Sequence, residues 1–327
     1  MSENLTDELD LMKISGPPSF SDMPMETVYK IVGKVDPYSR LAVRKVCRNL
    51  RNVIDDTDPG FKYVKVDLSR YASRLWLTNI GRGAICYSRN SNDPGCTVRR
   101  TSQSKSIEKT QLDAILDDLA VIVKNPKLRL DNFVIVSSHE ASKQFVEWIR
   151  DIAQSGILLH TKKIKLDIFP LKDVFGVLSH CKPGFLEDIE FYCYDSAGKM
   201  DEIINLEQWK RAKSINIEGR VCEDIPIEHF FHFSRITIKL RKLSVSDAIK
   251  IRDDLMKSAH FEYAYIKIIE GVDPDVLRAI NPNYHPYDAL DPFEHGNYTF
   301  RISSDSLFDS ALKIEKVSIT EDDLALL

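Results

Sequence analysis

The sequence predicts an α/β protein in two parts: a small helical module near the N-terminus, then a longer domain of alternating short strands and helices. Three observations lead there. Apolar residues between Val28 and Ile54 recur at helical spacing. Beyond residue 60, short runs such as Ile164-Lys-Leu166 and Ile215-Asn-Ile217 alternate apolar and polar residues, the two-residue period of a half-buried strand. These strand runs start again about every 21 to 31 residues with helical patterns between them, close to the roughly 20 to 29 residues of leucine-rich repeats. The fixed Asn/Cys ladder of those repeats is missing, so the expectation is an irregular strand–helix repeat, with a compact α/β sandwich as the alternative.

Composition sets the frame for these elements. A chain of 327 residues suits about two domains, and a hydrophobic fraction of 43% can fill their cores. The net charge of −4 removes any whole-chain attraction for a polyanion. Six cysteines (Cys47, Cys86, Cys96, Cys181, Cys193, Cys222) form no CxxC pair, which argues against a disulfide framework or a zinc ribbon. Residues 1–19 carry four acidic side chains against Lys13 and lack the basic start and apolar run of a signal peptide. No stretch approaches the ~18 to 20 apolar residues that span a bilayer. The expectation is an intracellular protein, cytoplasmic or nuclear or both, with no membrane partner.

Taken in order, residues 1–19 read as a disordered acidic tail ending in Gly16-Pro17-Pro18-Ser19. Pro24 sits where a first-turn proline costs a helix nothing, and Ser21 or Asp22 can cap that helix. Val28, Ile31, Val32 and Val35 then mark one helical face, and Pro37 stops that helix and opens another. A further helical pattern runs Val43, Val46, Cys47, Leu50, Ile54, with a break near Cys47. Residues 20–56 hold seven basic and five acidic side chains. A module of about 37 residues rarely folds alone without a metal, a disulfide or a partner. Its surplus of apolar positions therefore suggests a partner surface.

These residues carry a resemblance. Phe20-Ser-Asp-Met23-Pro24-Met25-Glu26-Thr-Val28-Tyr-Lys-Ile31, then Asp36-Pro37-Tyr-Ser39-Arg40-Leu41, then Val46-Cys47-Arg48-Asn-Leu50-Arg51, resembles an F-box. Met23 stands for the usual Leu before Pro24, a volume-conserving swap, and Phe20 stands for another apolar anchor. The arrangement is also similar to the nematode F-box A group, whose members carry an FTH domain after the F-box. The resemblance implies an adaptor, not an enzyme: the F-box docks on a Skp-family adaptor, and through it on a cullin–RING ubiquitin ligase, while the larger domain presents a protein substrate. The docking residues it implies are Phe20, Met23, Pro24, Val28, Ile31, Leu41, Val46 and Leu50, some of which instead hold the module's own helices together. The alternatives are an interaction scaffold that promotes no turnover and an enzyme with an unrecognised site.

In the larger domain, Phe61 to Leu68 and Gly83 to Tyr87 read as strands, and 89–106 as a polar loop that forms a hairpin tip or, alternatively, a phosphorylated or nucleic-acid-contacting loop. Leu112, Ile115, Leu116, Leu119 and Val123 mark an amphipathic helix ended by Asn125-Pro126. Phe133 to Val136 is a strand, and Phe145, Trp148, Ile149 and Ile152 a helical face. Strands follow at 164–168, 189–193, 215–217, 236–240 and 265–268, with helical stretches at 206–212 and 246–258. Residues 272–297, dense in Pro and Asn, read as a long loop before a last strand, Tyr298 to Ile302. The organisation expected is thus 1–19 tail, 20–56 F-box, 57–319 α/β recognition domain, 320–327 tail.

No constellation for catalysis stands out. GxxxxGK[ST], GxSxG and HExxH are absent. His229 and His232 share a helical spacing but lie among Phe230, Phe231 and Phe233, and the sequential His180-Cys181 diverge in any regular element. No cofactor, metal or catalytic residue is expected. The basic runs at 162–165 and 239–242 read as solvated faces rather than a nucleic-acid site, because no spaced aromatic pair offers base stacking. The substrate surface is expected on the polar positions of the repeated strands: Lys165, Asp167, Glu190, Tyr192, Asn216, Glu218, Lys239 and Lys267. Their three positive and three negative charges suggest a protein partner read by pattern, with weak overall salt dependence.

Overall fold

A computed structural model describes residues 23–77, 83–90, 95–193, 200–222, 225–285, 292–305 and 311–317. The chain divides into two compact units, Met1–Gly60 and Phe61–Leu327. Phe20, the capping candidates Ser21 and Asp22, and both tails fall outside the described residues.

The first unit is built from three short helices: α1 (Met25–Lys34), α2 (Pro37–Val43) and α3 (Arg48–Asp55). Pro24 precedes the first turn of α1, and its carbonyl accepts from the amides of Thr27 and Val28. Asp36 caps α2 by accepting from the amides of Tyr38 and Ser39, with Pro37 at the first helical position. The expected break near Cys47 is the α2–α3 connection. Val28 and Val32, one turn apart on α1, pack with Leu50, Val53 and Ile54 of α3, and Val43 leans against the cluster. So small a core needs polar pins. The Arg40 guanidinium donates to three carbonyls, those of Val35 (2.8 Å), Asp58 (2.7 Å) and Gly33 (2.9 Å), tying the α1 C-terminus to the segment after α3. Arg44 grips Asp55 in a bidentate pair at 2.6 and 2.9 Å.

The second unit is α/β, as expected. Among its described residues fourteen strands form one sheet. Its centre is parallel: β1 (Tyr63–Leu68), β6 (Leu130–Ser137), β7 (Thr161–Asp167), β8 (Asp188–Tyr192), β9 (Ser214–Glu218), β10 (Arg235–Leu240) and β11 (Tyr263–Ile268) lie side by side in that order. Beyond β1 the sheet continues antiparallel through β2 (Ala72–Trp76), β3 (Ile85–Arg89), β4 (Cys96–Arg100) and β5 (Gln103–Ile107). Beyond β11 it continues antiparallel through β14 (Ala311–Val317), β13 (Tyr298–Asp305) and β12 (Phe293–His295).

The two sheet faces differ because the strands alternate. Phe133, Ile135, Ile164, Leu166, Ile189, Phe191, Ile215, Ile217, Ile236, Ile238 and Ile266 are buried on one face, each worth roughly 1.5–3 kcal/mol when removed from water. That face is covered by α4 (Gln111–Val123), α5 (His139–Gln154), α6 (Leu171–Leu178), α7 (Met200–Ile204), α8 (Glu207–Arg211), a 3-10 turn (Ile227–Phe230), α9 (Val245–Lys250) running into a π turn (Ile251–Leu255), and α10 (Pro274–Ile280). Phe145 of α5 shows the packing: its ring lies 6.4 Å from that of Phe133 and 6.5 Å, edge-on, from that of Phe169. The buried pair Ser142–Asp173 (2.7 Å) links α5 to α6. The polar positions of the same strands stay accessible on the other face.

Several local expectations are corrected. The 89–106 segment is more ordered than a hairpin tip: it holds β4 and most of the antiparallel β5, and 91–94 lie outside the described residues. The 272–297 segment holds α10 and β12, and the helix has a plain reason: Asp273 caps it with Pro274 at the first helical position. Tyr298 to Ile302 belongs to β13 and is followed by β14. The strand read as 164–168 stops at Asp167. Ile168 has φ 63° and is exposed, so it does not join the inward set. Two strands further on, Gly219 (φ 78°) makes the turn after β9, where a Cβ would stand 2.5 Å from the Cys193 carbonyl oxygen.

Candidate functional site

The helical module divides the expected docking residues into two groups. Val28 and Leu50 are buried in the three-helix core, and Leu41 is half-buried. Met23, Pro24, Ile31 and Val46 are exposed, Val46 by 72%. Met25 and Tyr29 join them, though sequence reading did not single them out. Tyr29 is anchored by its hydroxyl, which donates to Asp56 (2.9 Å). A module with five buried core residues thus exposes four aliphatic side chains (Met23, Met25, Ile31, Val46).

The sheet's open face holds the expected substrate residues. Register aligns Lys165, Glu190, Asn216 and Thr237 across β7–β10, and Asp167, Tyr192 and Glu218 across β7–β9. Lys239 pairs with Lys267 across β10–β11. One pleat earlier runs a row that sequence reading did not name: Lys163, Asp188, Ser214, Arg235 and Tyr263. The same alternation, extended back by two residues on each strand, points to it. Both rows meet at a small hollow of about 180 Å³ lined by Lys163, Glu190, Asn216, Arg235, Thr237 and Tyr263 among others.

Glu190 is the electrostatic hub of this face. It pairs with Lys163 (2.9 Å) and with Lys165. Partial burial on the sheet pushes its carboxyl up, but hydrogen bonds from Lys165 and Lys163 outweigh that and leave it below the ordinary carboxylate value. The hydrogen bond to Glu190 in turn raises Lys165, against a smaller opposing effect of burial. Asn216 donates to Glu218 (3.0 Å).

A larger hollow of about 470 Å³ lies at the C-terminal ends of β1 and β6, where α4 and α5 begin, with Arg70, Ser73, Arg89, Gln111 and Ser138 in its lining. Gln111 Oε1 is buried there without a hydrogen-bond partner, while other polar groups of the lining are engaged locally. Gln111 donates to the Ser69 and Arg70 carbonyls, and Thr110 uses its hydroxyl oxygen to cap α4 at the Asp113 amide. His232 is tied to the Trp209 carbonyl (2.9 Å), and burial lowers its pKa. Burial pushes the Cys181 thiol up to about 12, away from the reactive thiolate. Among the described residues no group of three or more His, Cys, Asp or Glu could hold a metal ion, and no helix is long and apolar enough to cross a membrane.

The described residues thus combine a three-helix module that exposes aliphatic side chains with a strand–helix sheet that leaves one polar face open. Both parts match known domain families. Residues 20–62 match the F-box domain and residues 143–283 the FTH domain, so both domains are present in the chain. It is similar to F-box A protein 224 of Caenorhabditis elegans, with 29% identity over 312 residues that cover 90% of this chain and 79% of that protein.

Proposed function

We propose that the chain is a substrate-recognition subunit of an SCF-type cullin–RING ubiquitin ligase. The F-box docks on a Skp-family adaptor and through it on the cullin, and the open sheet face of the second unit holds a protein substrate. The observation that carries this reading is the exposed set Met23, Pro24, Met25, Ile31 and Val46 on a module that matches the F-box domain. The protein's contribution is proximity: it raises the effective concentration of substrate near a charged conjugating enzyme, and bond-making belongs to other subunits. Substrate contact is assigned to Lys165, Asp167, Glu190, Tyr192, Asn216, Glu218, Lys239 and Lys267, joined by Lys163, Asp188 and Arg235 on the same face.

The test is capture of purified Skp-family adaptor by the full chain. Replacing Pro24 and Ile31 together with Ala is expected to weaken capture at least about tenfold, since interface anchors commonly contribute ~2 kcal/mol or more. The second unit is expected to keep its thermal transition. Unchanged capture by the double variant sinks the adaptor reading.

A further inference from the structure

The eight open-face positions named from sequence balance to zero charge, but the whole face does not. Across β7–β9 the outward side chains include two lysines (Lys163, Lys165) against four carboxylates (Asp167, Asp188, Glu190, Glu218). Across β10, β11, β14 and β13 the same face carries Arg235, Lys239, Lys267, Lys313 and Arg301 against Glu315 and, by backbone register, Asp305 at the end of the row that holds Lys267. Register places Tyr263 opposite Glu315 and Tyr265 opposite Lys313, in the middle of that basic half. Arg235 and Lys313 both lie over the Tyr263 ring, at 5.3 and 5.7 Å from its centroid. The carboxylates that these two cations engage are themselves accessible, Glu262 for Arg235 and Glu315 for Lys313. Exposed pairs of this kind are worth little, so an incoming carboxylate can exchange with them at small cost.

We infer that the basic, tyrosine-bearing half of the sheet face, on β10, β11, β14 and β13, is the docking surface for an acidic segment of a protein substrate. The inference rests on the recognition reading above and names the substrate class. Charge complementarity selects the occupant. Three inter-strand spacings of about 4.8 Å make the basic half about 14 Å wide, which an extended chain crosses in about five residues. A run of about five acidic or aromatic residues therefore fills it. A chain continuing over β9 and β8 meets Glu218 and Glu190. Basic or neutral residues fit there, and another block of acid is repelled. That polarity disfavours a nucleic acid, whose uniform backbone charge has to run off the basic half onto the carboxylates. Charges within the patch lie within about one Debye length of their neighbours at physiological salt, so their fields add and added salt screens them.

The experiment uses the full chain and three fluorescein-labelled probes: a Gly/Ser peptide containing about five Glu and Tyr residues, the same peptide with Lys for Glu, and a single-stranded oligouridine of matching charge. Fluorescence anisotropy is expected to show the Glu/Tyr peptide binding at least about tenfold tighter than the Lys peptide and tighter than the oligouridine, with affinity falling as salt rises. Arg235→Glu, Lys239→Glu and Lys313→Glu together are expected to abolish that preference. The milder Lys239→Gln/Lys313→Gln variant, checked for an unchanged melting transition, is expected to weaken it severalfold. Equal binding of Glu and Lys peptides, full retention by the folded reversal variant, or tighter binding of the oligouridine each overturns the inference. Adaptor capture measured on the same samples separates the two readings. Capture retained with no acidic preference refutes only the substrate class, whereas capture absent in the unaltered chain refutes the recognition reading itself.

Discussion

Ile31 and Val32 are neighbours on α1 with opposite surroundings, and replacing each with Ala separates the module's surface from its scaffold. Val32 is 1% exposed and belongs to the five-residue core, whereas Ile31 is 38% exposed. Val32→Ala removes two methyl groups from that core, at roughly 0.8 kcal/mol each plus a cavity contribution, about 2 kcal/mol or slightly more. That is a roughly thirtyfold rise in the open population of the module. Ile31→Ala removes a side chain that is already partly wet and is expected to cost less in folding, about 1 kcal/mol. At an adaptor contact, however, the same truncation is worth about 2 kcal/mol, a roughly thirtyfold weaker Kd. Amide hydrogen exchange across residues 25–55 reads the first quantity and titration calorimetry with a Skp-family adaptor reads the second. The expected pattern is crossed. Val32→Ala speeds exchange more and scarcely changes capture while the module stays mostly folded; Ile31→Ala speeds it less and weakens capture. Equal acceleration of exchange by both variants refutes the division into surface and core, and capture indifferent to Ile31 refutes the docking surface.

The second unit supplies three more expected outcomes. Gly176 of α6 sits so close to α5 that an added Cβ would lie 2.6 Å from a Val146 methyl; Gly176→Ala is expected to lower stability by about 1–3 kcal/mol in urea unfolding despite a helix-propensity gain of about 1, and to become stabilising when Val146 is also Ala. Asp173→Ala breaks the buried hydrogen bond with Ser142 and is expected to cost about 2 kcal/mol, seen as a lower melting temperature. Glu190 has a folded pKa below its ordinary 4.5, so its stabilising contribution is complete above 4.5 and lost as pH falls through the lower folded value. Urea unfolding of Glu190→Gln is therefore expected to show a shallower acid decline than the unaltered chain, and an identical decline refutes the Lys163–Glu190–Lys165 arrangement.

What could be read from the sequence depended on whether an element buries one face. The central parallel strands announced themselves because Ile or Phe recurs at every second position and the positions between are polar. Where one face is not apolar the period disappears. In β5 the first four residues, Gln103 to Ser106, are all exposed, so nothing alternates. In β2 the inward positions are Ser73 and Leu75, and a serine that is 1% exposed hides half the signal. Helix α10 was concealed by the opposite problem: the density of Pro and Asn around it outweighed an Asp273-Pro274 start that by itself signals a helix. Strand β14 buries Leu312 and Ile314 between antiparallel neighbours, but its alternation is only two residues deep before Lys316.

The site followed the same logic with one difference. Alternation says which strand residues point away from the helices, but not which strands are neighbours or where the sheet ends. Lys313 and Arg301 lie beside Tyr265 and Glu315 only because β14 returns antiparallel between β11 and β13, a connection that no local pattern announces. Without it the open face appears balanced. With it, the acidic charge gathers over β7–β9 and the basic charge over β10, β11, β14 and β13. In the F-box, by contrast, sequence spacing named the apolar residues but could not divide them, because Val28 and Ile31 are three apart and belong to one helical stripe by periodicity. Only the position of α3, which covers Val28 and Val32 and leaves Ile31 outside, turns that one stripe into a core edge and an exposed edge.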